Sequence, residues 1–68
     1  MEPTIELNRR MHPHREGMTV SSLMALNNFD FFYMIVKING AIIEEEAWPT
    51  SAIAAGDKVD IIHIFGGG

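Results

Sequence analysis

Phe31-Phe32-Tyr33-Met34-Ile35-Val36-Lys37-Ile38-Asn39-Gly40-Ala41-Ile42-Ile43 is the stretch whose reading decides the fold. Phe31 to Ile38 is dense in β-branched and aromatic side chains, the composition of a strand inside a sheet. Asn39-Gly40 then separates it from a second apolar run, Ala41 to Ile43. Both residues accept positive φ, so a tight two-residue turn predicts a β-hairpin here. Met34 and Val36 share one face, opposite Lys37, and should point into the core.

Downstream, Glu44-Glu45-Glu46 leads into Ala47-Trp48, a short helical or irregular stretch with the indole as an anchor and Pro49 as a stop. Ile53 precedes a Gly56-Asp57 turn. Lys58 to Phe65 reads as the last strand, with Val59 and Ile61 facing inward, opposite Lys58 and Asp60. Gly66-Gly67-Gly68 finishes the chain.

Upstream, Thr19 is placed to cap a helix of about two turns in which Val20, Leu23, Met24 and Asn27 recur at helical spacing. Asn27-Asn28 stops it. Residues 3–8 alternate around Ile5 and Leu7 as a half-buried strand, and Asn8-Arg9-Arg10 is a polar turn. Met11 to His14 returns as a strand that Pro13 confines to a sheet edge. The predicted order is strand, strand, helix, strand, strand, strand. One helix across a mixed sheet of four or five strands is an α+β layer packing.

Composition narrows the function classes. A chain of 68 residues is at most one domain, and with no cysteine its fold rests on an apolar core without disulfides or thiolate zinc. Nine acidic against five basic residues, a formal net charge of −4, argue against nucleic acid as the main partner, because phosphate binding needs clustered Lys and Arg. No signal peptide is evident at Met1-Glu2-Pro3-Thr4, and no apolar run reaches membrane-spanning length, so the expected location is the cytoplasm.

Conventional catalytic sites are poorly supported. His12-Pro13-His14 places two imidazoles on one face of an extended segment, but a metal site needs a third and usually a fourth ligand. Glu44-Glu45-Glu46 fits a solvated turn. His63 has no serine or cysteine nucleophile beside it in a recognisable motif and reads as a structural imidazole. The expectation is therefore a protein with no catalytic residues, no metal and no permanently bound cofactor.

The glycine tail remains. Glycine averages about 7% of residues, so two in a row at a terminus arise by chance roughly once in two hundred chains. Without Cβ atoms, Gly66, Gly67 and Gly68 form an arm able to thread a narrow channel and leave a terminal carboxylate unhindered. An incidental floppy terminus is the other reading of the tail alone.

Val36-Lys37-Ile38-Asn39-Gly40, Trp48, Gly56-Asp57-Lys58-Val59-Asp60-Ile61-Ile62 and Gly66-Gly67-Gly68 together resemble the bacterial sulfur carrier family ThiS, small β-grasp proteins related to ubiquitin. The likeness is good over the last half of the chain. Over residues 1–30 only the element order matches. The family often has a basic residue soon after the hairpin, where this chain has Glu44-Glu45-Glu46.

The resemblance implies a ubiquitin-like β-grasp over residues 1–65 with a flexible tail over 66–68. It also implies a mechanism. An E1-like, ThiF-like partner uses ATP to adenylate the Gly68 carboxylate. A sulfur donor converts the adenylate to a thiocarboxylate, and this delivers sulfur to a ThiG-like thiazole synthase for thiamine. The ATP belongs to the activating partner, and the carrier is a monomer when free. Three alternatives stand beside it: the molybdopterin-synthase small subunit, with the same fold and Gly-Gly end, a ubiquitin-like protein modifier that forms isopeptide bonds, and a plain binding module with incidental glycines. Molybdopterin-synthase chains tend to be longer and to carry prolines shortly before the tail, whereas Ile62-His63-Ile64-Phe65 has none.

In a β-grasp the strands holding Tyr33 and Ile35 and holding Ile62 and Ile64 are neighbours. By alternation these four side chains should form an apolar patch on the solvent face, beside the tail, and so a docking surface for the activating partner.

Overall fold

The computed structural model describes residues 2–29 and 34–64. β1 (Thr4–Leu7), β2 (Arg10–Pro13), α1 (Val20–Leu26), β3 (Met34–Ile38), β4 (Ala41–Ile43) and β5 (Lys58–His63) follow one another, with a 3-10 turn at Glu45–Ala47. The strands form one sheet in the order β2-β1-β5-β3-β4. β1 runs parallel to β5, and the other neighbours are antiparallel. This five-stranded mixed sheet with one helix is a β-grasp, as the sequence predicts.

The deciding hairpin forms as expected. Asn39 and Gly40 take φ of 52° and 86°. A two-residue turn of that hand sets Ile38 opposite Ala41 and Lys37 opposite Ile42. Pro13 ends β2, which lies at one edge of the sheet.

Alternation puts Ile5, Leu7, Val36, Val59 and Ile61 on the helix side, where all five are buried. They pack with Val20, Leu23 and Met24 of α1 and with Met18, Trp48 and Ile53 from the connections. Met34 packs partly against this core. The Trp48 indole N–H donates to the Ile43 carbonyl at 3.0 Å, so its one polar atom is satisfied on burial.

α1 has only seven residues, and its free amides are each met. The Thr19 hydroxyl accepts from Ser22 N–H at 3.2 Å, and the Ser22 hydroxyl accepts from Thr19 N–H at 2.9 Å, a reciprocal capping box. Val20 and Ser21 donate to the carbonyls of Ser51 and Trp48. Asn27 departs from the helical stripe expected for it. It is exposed and serves as the C-cap, its side chain donating to Leu23 O at 2.9 Å. The described β5 stops at His63, opposite Met34, so Ile64 lies past the strand and Phe65 outside the described residues. Phe31 to Tyr33, read as the start of β3, also lie outside the described residues.

Candidate functional site

β5 is the strand that leads toward the glycines, and two neighbours hold it. On one side β3 pairs with it from Ile38↔Val59 to Met34↔His63. On the other, the parallel pairing with β1 covers Glu6↔Lys58 and Leu7↔Val59. Asn8 then continues that side with its carboxamide. Its Oδ1 accepts from Ile61 N–H at 2.7 Å, and its Nδ2 donates to Ile61 O at 3.2 Å. The β1–β5 ladder thereby gains a rung from a side chain.

The start of β5 is fixed by a second asparagine. Asn39 Oδ1 accepts from Lys58 N–H at 2.9 Å, Asn39 Nδ2 donates to Asp57 Oδ1 at 3.0 Å, and Asn39 N–H donates to Lys58 O at 2.7 Å. Asp57 Oδ2 in turn accepts from Ala54 N–H at 2.8 Å. The Asn-Gly hairpin and the Gly-Asp turn, read separately in the sequence, are one latch at the end of the sheet where β5 begins.

The face of the sheet away from α1 is open. Ile35 lies directly opposite Ile62, and Lys37 opposite Asp60. Ile62 and Ile64 are 46% and 43% exposed, and Ile35 is half-buried. The structure thus brings Ile35 and Ile62 together beside the exit of β5, with Ile64 just beyond. Tyr33, Gly66, Gly67 and Gly68 lie outside the described residues. Sequence reasoning overlooked Ile42. It pairs with Lys37 on this same open face and is 65% exposed. The signal was present, because a two-residue Asn39-Gly40 turn fixes that register.

The histidines are committed elsewhere. His12 Nδ1 lies 2.7 Å from Pro13 O, which can only accept, so Nδ1 carries the proton and Nε2 accepts from Asn27 Nδ2 at 3.1 Å. His14 Nε2–H donates to Ile53 O at 2.7 Å. The two imidazoles hold different loops. No group of three or more His, Asp or Glu is placed to hold a metal among the described residues. His63, expected as a structural imidazole, is an exposed residue at the end of β5. A cleft of about 530 Å³ between the β1–β2 turn and the end of α1 is lined by Asn8, Arg10, His12 and Phe29 among others, and by none of the expected site residues.

The model of the ThiS family matches residues 4–68, nearly the whole chain. This chain belongs to the ThiS family. The fold agrees: the crystal structure of a thiamine biosynthesis protein, ThiS, from Geobacter metallireducens superposes with a TM-score of 0.77 at 25% identity, covering 96% of this chain and 99% of that one. No curated protein matches the sequence. ThiS membership supports a sulfur-carrier role and is consistent with a protein that is not itself an enzyme. No helix among the described residues is long and apolar enough to cross a membrane.

Proposed function

We propose that this protein carries sulfur as a thiocarboxylate on Gly68 for assembly of the thiazole of thiamine. The observation that carries the reading is the ThiS family match, which runs through the three glycines to residue 68. A carboxylate is a poor acyl donor because its leaving group would be an oxide. An activating, ThiF-like partner overcomes this with ATP: a Gly68 oxygen attacks the α-phosphorus, pyrophosphate leaves, and an acyl-adenylate forms. A sulfur donor then supplies sulfide-level sulfur to the acyl carbon, and AMP departs. The thiocarboxylate passes its sulfur to a ThiG-like thiazole synthase. The carrier contributes a recognition surface and an arm, while the partners contribute the catalysis.

Ile35 and Ile62, with Ile64 and Tyr33, form the docking surface in this reading. Their place beside the strand that feeds the arm supports it, because a partner gripping that face receives the tail. The charged pair Lys37 and Asp60 borders the contact and steers encounter, while the isoleucines hold it. The likeness to the thiamine biosynthesis protein of Geobacter metallireducens favours thiazole synthesis over a molybdopterin role.

Incubation with a ThiF-type enzyme, ATP and a sulfur donor should convert the protein to a species whose intact mass shows one oxygen replaced by sulfur, located at Gly68. An unchanged mass with an activating enzyme proven on its own carrier would sink the proposal. For the surface, an Ile35→Asp/Ile62→Asp double variant should fold and lose adenylation. If it folds and is adenylated at the wild-type rate, docking lies elsewhere.

A further inference from the structure

The chain has four asparagines, at 8, 27, 28 and 39, and Asn39 alone is followed by glycine. That dipeptide is the most susceptible to spontaneous amide loss, because the attacking backbone nitrogen belongs to a residue with no side chain to hinder it. Gly40 is exposed, and even an added Cβ there would meet nothing within 4 Å. Nothing steric therefore protects this turn.

The electrophile is nevertheless held. Closing the ring requires the Asn39 side chain to swing until its Cγ meets the Gly40 nitrogen. In the folded protein its Oδ1 is bonded to Lys58 N–H at 2.9 Å, and its Nδ2 to the Asp57 carboxylate at 3.0 Å. The second is a hydrogen bond to a charged acceptor, among the stronger kinds. Both must break first. We propose that Asn39 is the site of spontaneous deamidation in this protein, and that the Asp57–Lys58 latch is the brake on it.

The step balances without an oxidant or a cofactor. Gly40 N–H gives its proton to solvent base, and its nitrogen bonds to Asn39 Cγ. The Cγ–Nδ2 bond breaks, and Nδ2 takes up a proton and leaves as ammonia. Water opens the resulting cyclic imide at either carbonyl, giving an aspartyl or an isoaspartyl residue. Either product is self-reinforcing. A carboxylate replaces the Nδ2 donor that faced Asp57, so attraction becomes like-charge repulsion. The isoaspartyl form also lengthens the backbone inside a two-residue turn. The start of β5 is thereby released from the hairpin.

The test incubates four samples at mildly alkaline pH: wild type, wild type in urea, Asp57→Ala, and Val59→Ala, which is destabilised through the core with the latch residues intact. Peptide mass mapping and isoaspartate detection follow amide loss with time. Wild type should react slowly and at Asn39, and the urea sample fast. Asp57→Ala should exceed folded wild type by about tenfold or more, the factor expected for losing a hydrogen bond to a charged group. Val59→Ala, adjusted with urea to equal stability, should stay below it. The proposal is overturned if loss maps to another asparagine, if folded wild type reacts as fast as in urea, if Asp57→Ala matches wild type, or if Val59→Ala at equal stability matches Asp57→Ala.

Discussion

Asn8 stands with φ at 48° where β1 stops pairing with β5 and turns toward β2. Asparagine suits both demands. Its short polar side chain tolerates the left-handed region, and its carboxamide presents a donor and an acceptor side by side, as a peptide unit does. Removing it orphans the N–H and the C=O of Ile61, whose side chain is buried. Asn8→Ala should therefore cost roughly 1–3 kcal/mol, with a further penalty because alanine lacks the short polar side chain that makes asparagine tolerant of the left-handed region. Asn8→Gly also loses the carboxamide but accepts the turn conformation without strain, so the difference between the two variants reports the backbone preference at this position. Urea melts measure both costs, and amide exchange at Ile61 should quicken in both. Unchanged exchange at Ile61 in Asn8→Gly would show that the carboxamide does not hold β5.

At the scale of elements, α1 is too short to persist alone, since isolated helices under about 12 residues are marginal in water. Its ends and its buried face must hold it. Thr19→Ala removes the acceptor for Ser22 N–H and should cost about 0.5–2 kcal/mol, read as a lowered thermal midpoint with the fold retained. A midpoint equal to wild type would mean that solvent replaces the cap without loss. The cap was legible because threonine precedes the apolar stripe of Val20, Leu23 and Met24, a local pattern. The carbonyls of Trp48 and Ser51 that meet the next amides were not, because they arrive from an irregular stretch with no periodicity to read. The same division runs through the rest. The Asn39-Gly40 hairpin and the alternating faces of β1, β3 and β5 follow from neighbours in sequence. The Asn39 contact with Asp57 spans 18 residues and that of Asn8 with Ile61 spans 53, so only the assembled sheet displays them. Ile35 and Ile62 were legible as neighbours on one face because alternation and the β-grasp strand order suffice. Ile42 was equally available from the hairpin register.

For the whole molecule, the carrier reading divides the chain into a domain that must stay folded and an arm that must react. No disulfide is available, and domains of this size have roughly 3–10 kcal/mol of stability at the usual 0.05–0.15 kcal/mol per residue. Val59 is fully buried at the centre of the sheet, in the strand flanked by β1 and β3. Val59→Ala should cost roughly 1–4 kcal/mol through lost burial and the cavity left behind. Near the midpoint each kcal/mol lowers it by about 4–8 °C in a domain this small, so the shift should be large. Deleting Gly68 should spare stability and remove the chemistry. Gly66, Gly67 and Gly68 carry no side chains to bury in a core, so the midpoint should stay at the wild-type value while ATP-dependent pyrophosphate release with the activating enzyme disappears. Gly67→Val should behave almost as the deletion does, because a branched side chain obstructs a channel that admits glycine. Calorimetry and a pyrophosphate assay on these three variants separate the two roles. A Gly68 deletion that lowers the midpoint as Val59→Ala does would show that the arm is part of the fold, and one still adenylated at the wild-type rate would remove Gly68 from the chemistry.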